Sequence, residues 1–447
     1  DALVIIGLKV ASFTYGALLS FFILSKIDIK IEPLIVFLGY VSSIIAVFYF
    51  IEYQIAWTFY IIGSVCVNLF IVLALYYIKN RFLNYLFSLL LLLSIYPLLS
   101  TNHQAQIFNT NIIDFKIKSD CVDNNILLGS DIFRKNINKF EQYKNIGIVV
   151  NNTSEIISID ESRKNIKINL SNSDKVKKIF TPEHGLSNNY QAGDVISNDD
   201  SYNIPIISLY GNQRKPNLLD LENLDMVIFD IQDIGSRYYT YISTMTYIME
   251  ACSEKKIPLF ILDRPNPIGG KVDGPILDKE FSSFVGMHPI PISHGMTIGE
   301  LAFMINELKW HGDKFVDLNI IKMQGWNHGM YFENTGKNWI SPSPNIPDNQ
   351  TAFLYQGACL LEGTNISEGR GTDMPFKYIG APWINSSALI SQLKQLDLGG
   401  VSFRTVSFIP KYIPGKSTNP KFKNQICNGV EIVVYDRSKV SPVSIFI

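Results

Sequence analysis

Hydrophobic positions along this chain fall into two regimes. Residues 1–100 are apolar almost without interruption, in four stretches at about 3–25, 33–51, 55–78 and 84–100. Each approaches the ~20 apolar residues that cross a bilayer as a helix, and none shows the one-sided stripe of a surface helix. Beyond residue 100 the apolar runs shorten and alternate with polar segments. The runs at 146–150, 178–180, 206–209, 226–229 and 259–262 predict buried strands. Between the last two, Ile242, Met245, Ile248 and Met249 recur at helical spacing, so 238–254 predicts a helix, closed by Lys255-Lys256. Strand, helix and strand at this length form a βαβ unit, which implies a parallel sheet. A further helix opens at Gly299-Glu300, with Leu301, Met304, Ile305 and Leu308 on one face. Strands at 401–408 and 430–435 with turn-rich sequence between them predict a second, smaller α+β domain. The expected organisation is four transmembrane helices over 1–100, a linker and first helix over 101–140, a parallel α/β domain over 141–390, and the α+β domain over 391–447.

Cations sharpen the reading of the apolar region. Lys26 and Lys30 separate the first two stretches and Lys79 and Arg81 the last two, whereas the turn at Glu52 and Gln54 has none. The positive-inside rule then puts everything past about residue 100 outside the cytoplasm, tethered on the periplasmic side. Lys79-Asn80-Arg81 ahead of an apolar run also has the form of a signal peptide, in which case the soluble part is exported free of the membrane.

Composition narrows the chemistry. A net charge of -1 leaves no basic footprint for nucleic acid. The five cysteines form no CxxC pair, and His184, His288 and His294 lack metal-ligand spacing, so neither a metal nor a dense disulfide framework is expected. No phosphate loop with its Lys and no Gly-x-Ser-x-Gly elbow occurs, and no cofactor is expected.

The polar segments that follow the predicted strands carry the candidate site. Strands of one parallel sheet share a carboxyl edge, where ligands bind, so these segments should converge. Pro182-Glu183-His184-Gly185 offers Glu183 as a general acid with His184 beside it. Asp230, Gln232, Asp233 and Arg237 follow the next strand, then Tyr238, suited to a sugar face. Asp233 equally suits a helix cap. Asp263-Arg264-Pro265-Asn266-Pro267 and Ser343-Pro344-Asn345 present Asn266 and Asn345 on proline-stiffened loops. The densest polar run, 362–372, contributes Glu362, Glu368 and Arg370. Glu183, Asp230, Asp233, Glu362 and Glu368 thus offer carboxylates for an enzyme site, and Arg237 or Arg370 can clamp a substrate anion.

Taken in order, these motifs resemble the exo-β-N-acetylmuramidase family of NamZ type, glycoside hydrolase family 171. The match runs through Pro182-Glu183-His184-Gly185, Ser208-Leu209-Tyr210-Gly211, Phe229-Asp230-Ile231-Gln232-Asp233-Ile234-Gly235-Ser236-Arg237-Tyr238-Tyr239-Thr240-Tyr241, Leu262-Asp263-Arg264-Pro265-Asn266-Pro267, His294-Gly295-Met296-Thr297 and Glu362-Gly363-Thr364-Asn365-Ile366-Ser367-Glu368-Gly369-Arg370. It implies a Rossmann-like domain plus a smaller C-terminal domain, here expected to be truncated, with the site between them. It also implies release of N-acetylmuramic acid from the non-reducing end of peptidoglycan fragments, with Glu183 as acid, Asp230, Asp233, Glu362, Glu368 or the substrate's own N-acetyl oxygen in the second role, and Arg237, Arg264 or Arg370 for the lactyl carboxylate. Leu186-Ser187-Asn188-Asn189 departs from the Gly and acidic residue that relatives carry there. Residues 1–80 weakly resemble the last helices of sodium/solute symporters, through Tyr15-Gly16-Ala17-Leu18 and Trp57-Thr58-Phe59-Tyr60. The competing reading is a peptidoglycan-binding or sensing module on a membrane anchor.

Overall fold

The computed structural model describes residues 33–52, 65–72, 109–115, 126–160, 162–163, 165–170 and 173–447. The chain separates into two units, residues 1–107 and 108–447. In the first, helix α1 (Pro33–Glu52) coincides with the second apolar stretch. Residues 65–72 are also helical, and the two segments approach so closely that a Cβ on Gly39 would lie 2.4 Å from Val72. Side chains of α1 are described at 35–42 and 44–45 alone. Among the described residues no helix is long and apolar enough to cross a membrane, so the expected spans gain no support. The stretches at 3–25 and 84–100, and most of 55–78, lie outside the described residues.

The second unit is built on a parallel sheet of seven strands. They are β1 (Thr110–Ile113), β2 (Ile146–Val150), β5 (Val176–Thr181), β6 (Ile206–Ser208), β7 (Met226–Asp230), β8 (Leu259–Leu262) and β11 (Leu318–Ile321). Their spatial order is β1-β11-β8-β7-β2-β5-β6, every pair parallel. From β2 the chain winds outward through β5 to β6, then returns to the other side of β2 and continues through β7, β8 and β11. The sheet therefore changes direction between β2 and β7, and the crevice for a ligand opens at the carboxyl ends there.

Alternation along the strands explains why both faces are buried. Val149, Val227, Phe229, Leu259 and Ile261 join one core cluster, and Ile148, Ile228, Phe260 and Leu262 join the other. Helices α3 (Tyr241–Lys255) and α4 (Ile298–Glu307) cover the first face. Helix α2 (Gly129–Lys135) and the hairpin of β3 (Ile157–Asp160) with β4 (Asn165–Ile168) cover the second. Helix α4 begins with a capping box: Thr297 accepts from the Glu300 amide while Glu300 accepts from that of Thr297.

The short strands β9 (Val272–Asp273) and β10 (Ser293–His294) pair antiparallel, and a three-stranded antiparallel sheet completes the unit, β12 (Tyr378–Ala381) and β13 (Val401–Phe408) flanking β14 (Cys427–Val434), with α6 (Ser386–Gln395) against it. Helix α5 (Asn349–Ala358) leads into it. The smaller sheet thus draws its first strand from before residue 391. Strand β1 falls in the segment expected to be a linker, and its pairing with β11 makes that segment part of the sheet. Cys66, Cys252, Cys359 and Cys427 are free.

Candidate active site

Glu183 stands two residues past the end of β5, in a turn closed by the Gly185 amide donating to the Pro182 carbonyl at 3.1 Å. His184 and Gly185 both take left-handed backbone, at φ 72° and 69°. A non-glycine residue in that region costs roughly 1–3 kcal/mol and persists where the surroundings impose it, often at functional sites. Here the turn directs the Glu183 carboxylate inward, where it is 7% exposed. Thr240 Oγ1 donates to its Oε2 at 2.7 Å and the Gly193 amide to its Oε1 at 3.1 Å. Tyr210 also hydrogen-bonds Glu183, and burial together with that carboxylate pushes the Tyr210 phenol up to about 12.

His184 Nδ1 lies 2.8 Å from the Tyr190 carbonyl, so it is the donor nitrogen. Burial lowers its pKa, with the Glu183 charge opposing and Arg370 reinforcing the shift. Arg370 therefore reaches into the surroundings of the Glu183 turn from a distant part of the sequence. Its Nη2 donates to Glu362 Oε1 at 2.9 Å, and its Nε lies 3.8 Å from Glu368. Glu368 is buried and also lies 3.2 Å from Lys421 Nζ. Glu362 is 40% exposed, and desolvation raises its pKa against the pull of Arg370. These residues, with Gln191, Ala192 and Lys416, line a cavity of about 280 Å³ that holds three cations against two carboxylates.

The segment 409–426, between β13 and β14, forms one wall of that cavity. Both the amide and the hydroxyl of Thr418 donate to Gln191 Oε1 at 2.9 Å, and Asn345 Nδ2 donates to the Lys416 carbonyl at 2.8 Å. Gly415 passes so near Asn189 that a Cβ there would sit 2.5 Å from its carbonyl oxygen.

Several expected site residues instead build the frame. Asp230 is fully buried at the end of β7. Its Oδ1 receives Arg264 Nε at 2.7 Å and Nη2 at 2.6 Å, and its Oδ2 accepts from the amides of Glu155 and Ile156 at 3.0 and 3.3 Å. Asp230 and Arg264 therefore pair with each other at the switch point, with both Asp230 oxygens engaged and Arg264 Nη2 buried in ionic contact with Oδ1 and without a hydrogen-bond partner. Asp263 accepts from the Gly299 amide at 2.8 Å, at the start of α4, and burial raises its pKa to about 7. Asn266 donates to the Met296 carbonyl and accepts from the Ile268 amide, packed so tightly on Gly235 that any Cβ there would clash at 2.3 Å. Arg237 donates to the carbonyls of Pro275 and Ile290, both at 2.6 Å, and lies over the half-buried Tyr238 ring.

Gln232 and Asp233 remain open in part. Gln232 Oε1 and Asp233 Oδ1 are buried without a protein partner, as is Asn345 Oδ1. His294 Nε2 lies 3.4 Å from Asp233 Oδ2. Buried polar atoms of this kind mark where a ligand or solvent hydrogen bond is required. Asp233 does not cap α3, since its Oδ2 accepts from the Gly235 amide at 2.7 Å. Thr240, Gly193, Gln191 and Lys421 were not anticipated as site residues. Thr240 had a signal, standing in the Tyr-Tyr-Thr-Tyr run, but Lys421 had none, because only the fold brings it to Glu368. Among the described residues no cluster of His, Cys, Asp and Glu has the form of a metal site.

Residues 146–350 match the family description "Exo-beta-N-acetylmuramidase NamZ, N-terminal", and residues 353–447 match its C-terminal counterpart. The chain is 44% identical over 322 residues to the peptidoglycan beta-N-acetylmuramidase NamZ of Bacillus subtilis (strain 168), covering 70% of this chain and 74% of that protein. It belongs to the NamZ family. Two crystal structures of DUF1343 family proteins from Bacteroides fragilis share the fold. One has a TM-score of 0.62 at 34% identity, covering 72% of this chain and 81% of that one. The other has a TM-score of 0.53 at 33% identity, covering 72% and 79%. The NamZ segments divide at 350–353, so Glu183 and Arg370 come from different segments. Both segments lie past residue 145, and the weak symporter likeness of the first 80 residues gains no support from them.

Proposed function

We propose that this chain is an exo-acting β-N-acetylmuramidase that releases N-acetylmuramic acid from the non-reducing end of peptidoglycan fragments such as MurNAc-GlcNAc. It acts outside the cytoplasmic membrane, where such fragments form, and serves cell-wall turnover. The observation that carries this reading is Glu183, held at both oxygens in a left-handed turn beside a half-open cationic cavity. The cavity's excess of cations over carboxylates suits the lactyl carboxylate of muramic acid, with Arg370 and Lys421 the cations closest to hand.

Glu183 is the proton donor. The Gly193 amide can only donate, so Oε1 is fixed as an acceptor. The Thr240 hydroxyl can donate or accept, so Oε2 is the oxygen that can carry a proton and yield it to the glycosidic oxygen. For the second carboxylate, burial sets Asp230, Asp233 and Glu368 aside, while Arg370 contacts both Glu368 and Glu362. Glu362 is the exposed member of the set, engaged through Oε1, and takes the role of activating water. Glu368 positions Arg370 and Lys421.

Glu183→Gln tests the reading. Hydrolysis of MurNAc-GlcNAc should fall about 10²–10⁴-fold while the melting temperature holds. Retention of the wild-type rate removes Glu183 from the acid role. Binding of the disaccharide by the wild-type protein without release of sugar would reduce the protein to a binding module.

A further inference from the structure

Tyr210 touches Glu183 on one side and continues on the other into an aromatic ledge. Its ring lies 5.9 Å from that of Phe284, and Tyr247 stacks on Phe284 at 6.2 Å with an interplanar angle of 11°. The Arg214 guanidinium lies over the same Phe284 ring at 4.4 Å. Phe284 itself is buried and its backbone is pinned by Ser243 Oγ donating to its carbonyl at 2.7 Å, so it fixes the half-buried rings of Tyr210 and Tyr247, which carry the surface. A shallow groove runs past it, lined by Arg214, Lys215 and Tyr247 among others.

The two cations there differ. Lys215 is neutralised by Glu250 and Glu254, each at 2.8 Å. Arg214 is exposed and makes no ion pair among the described residues. Its charge is felt at the Tyr210 phenol, which ties it to the same end of the cleft as Glu183. An unpaired guanidinium on an aromatic surface, continuous with the proton donor, is a site for a carbohydrate bearing a carboxylate.

We infer that this ledge binds the part of the glycan on the reducing-end side of the bond to be cleaved, and that Arg214 receives the lactyl carboxylate of the next muramyl residue along the strand. The inference rests on the muramidase reading. The cavity beyond Gly193, walled by the 409–426 segment, takes the terminal sugar, and the shallower groove beyond Tyr210 is the direction in which a strand can continue. Sugar rings present apolar C–H faces that pack on aromatic side chains. The guanidinium supplies a charge-assisted, two-pronged contact to a carboxylate that a disaccharide substrate lacks at that position. The enzyme therefore prefers strands of four sugars or more to the free disaccharide.

The experiment compares kcat/KM for MurNAc-GlcNAc and for the tetrasaccharide (MurNAc-GlcNAc)2, in the full chain and in its Arg214→Ala variant. The wild-type ratio of tetrasaccharide to disaccharide should be about tenfold, and Arg214→Ala should bring it to about one. Arg214→Lys should recover part of the preference. A wild-type ratio of one, or an equal loss on both substrates in Arg214→Ala, overturns the proposal. Calorimetric titration of the tetrasaccharide separates this from failure of the muramidase reading. If neither substrate is hydrolysed, binding about tenfold weaker in Arg214→Ala still supports the site, and equal affinity sinks it.

Discussion

Asp230 offers the sharpest separation of frame from chemistry. Its side chain is 0% exposed and that of Arg264 4%, and the pair is joined by two contacts to one oxygen while two backbone amides hold the other. Asp230→Ala removes one partner of a buried pair, leaving a guanidinium without its counter-charge and two amides without an acceptor. Breaking such a pair costs about 3–5 kcal/mol, because the surviving charge stays desolvated. The unit spanning residues 108–447 unfolds with an entropy of about 0.7 kcal/mol/K, at ~2.1 cal/mol/K per residue. A loss of about 4 kcal/mol therefore lowers the melting temperature by ~6 °C. Asp230→Asn keeps one acceptor oxygen and loses the charge, so about half that loss is expected, ~3 °C. The assay pairs thermal unfolding followed by circular dichroism with initial rates on MurNAc-GlcNAc, normalised to folded protein at 25 °C. The folded fraction of Asp230→Asn should hydrolyse within about threefold of wild type. An Asp230→Asn protein that melts at the wild-type temperature yet loses a hundredfold or more in kcat would refute the reasoning, and would return Asp230 to the role of second carboxylate.

Two further outcomes follow from named contacts. Thr240→Val keeps the shape but deletes the hydroxyl on Glu183 Oε2, so kcat should fall about tenfold with KM little changed; an unchanged kcat would mean that Thr240 does not position the acid. His288 is buried against Trp310 and Thr246, and burial, reinforced by the His311 charge, lowers its pKa from 6.5 to about 4. The unfolded chain then takes up the proton first as pH falls below 6.5, so stability present above that value is lost as pH drops toward 4, by about 2–3 kcal/mol. Asp263 works in the opposite sense over this range, since its folded pKa is raised. The measurement is therefore the difference in urea stability between wild type and His288→Gln at each pH, in which Asp263 cancels. A difference that stays constant from pH 7 to 4 would refute the assignment.

The sequence made the parallel sheet legible because its strands are buried on both faces and so read as short continuous apolar runs. The runs at 146–150 and 259–262 match β2 and β8 end to end. Strand β1 stayed hidden because Thr-Asn-Ile-Ile has no such run, and its place is decided by the open edge of β11. The motifs after β5, β7 and β8 do share the carboxyl edge of one parallel sheet, but the partners each side chain meets were not readable. Asp230, Asp263 and Asn266 resemble binding residues in type and position, and what makes them frame is who faces them, namely Arg264, the start of α4 and Gly235. The run at 362–372 lies far from Glu183 in sequence, and only folding lets Arg370 act on the His184 ring. The apolar stretches near the N-terminus fall mostly on residues the structure leaves undescribed.

The contacts of Thr418 with Gln191 and of Lys416 with Asn345 make the cavity joint property of two sequence segments. Neither half, swapped alone for that of a relative, would carry a complete pocket across: the 409–426 crossing would meet a foreign surface at Asn189 and Gln191, where Gly415 leaves no room for adjustment. Chimeras of this enzyme should therefore exchange both seams together, and libraries that recombine at residues 350–353 should be poor in active members unless Asn189, Gln191 and Asn345 travel with Gly415, Lys416 and Thr418.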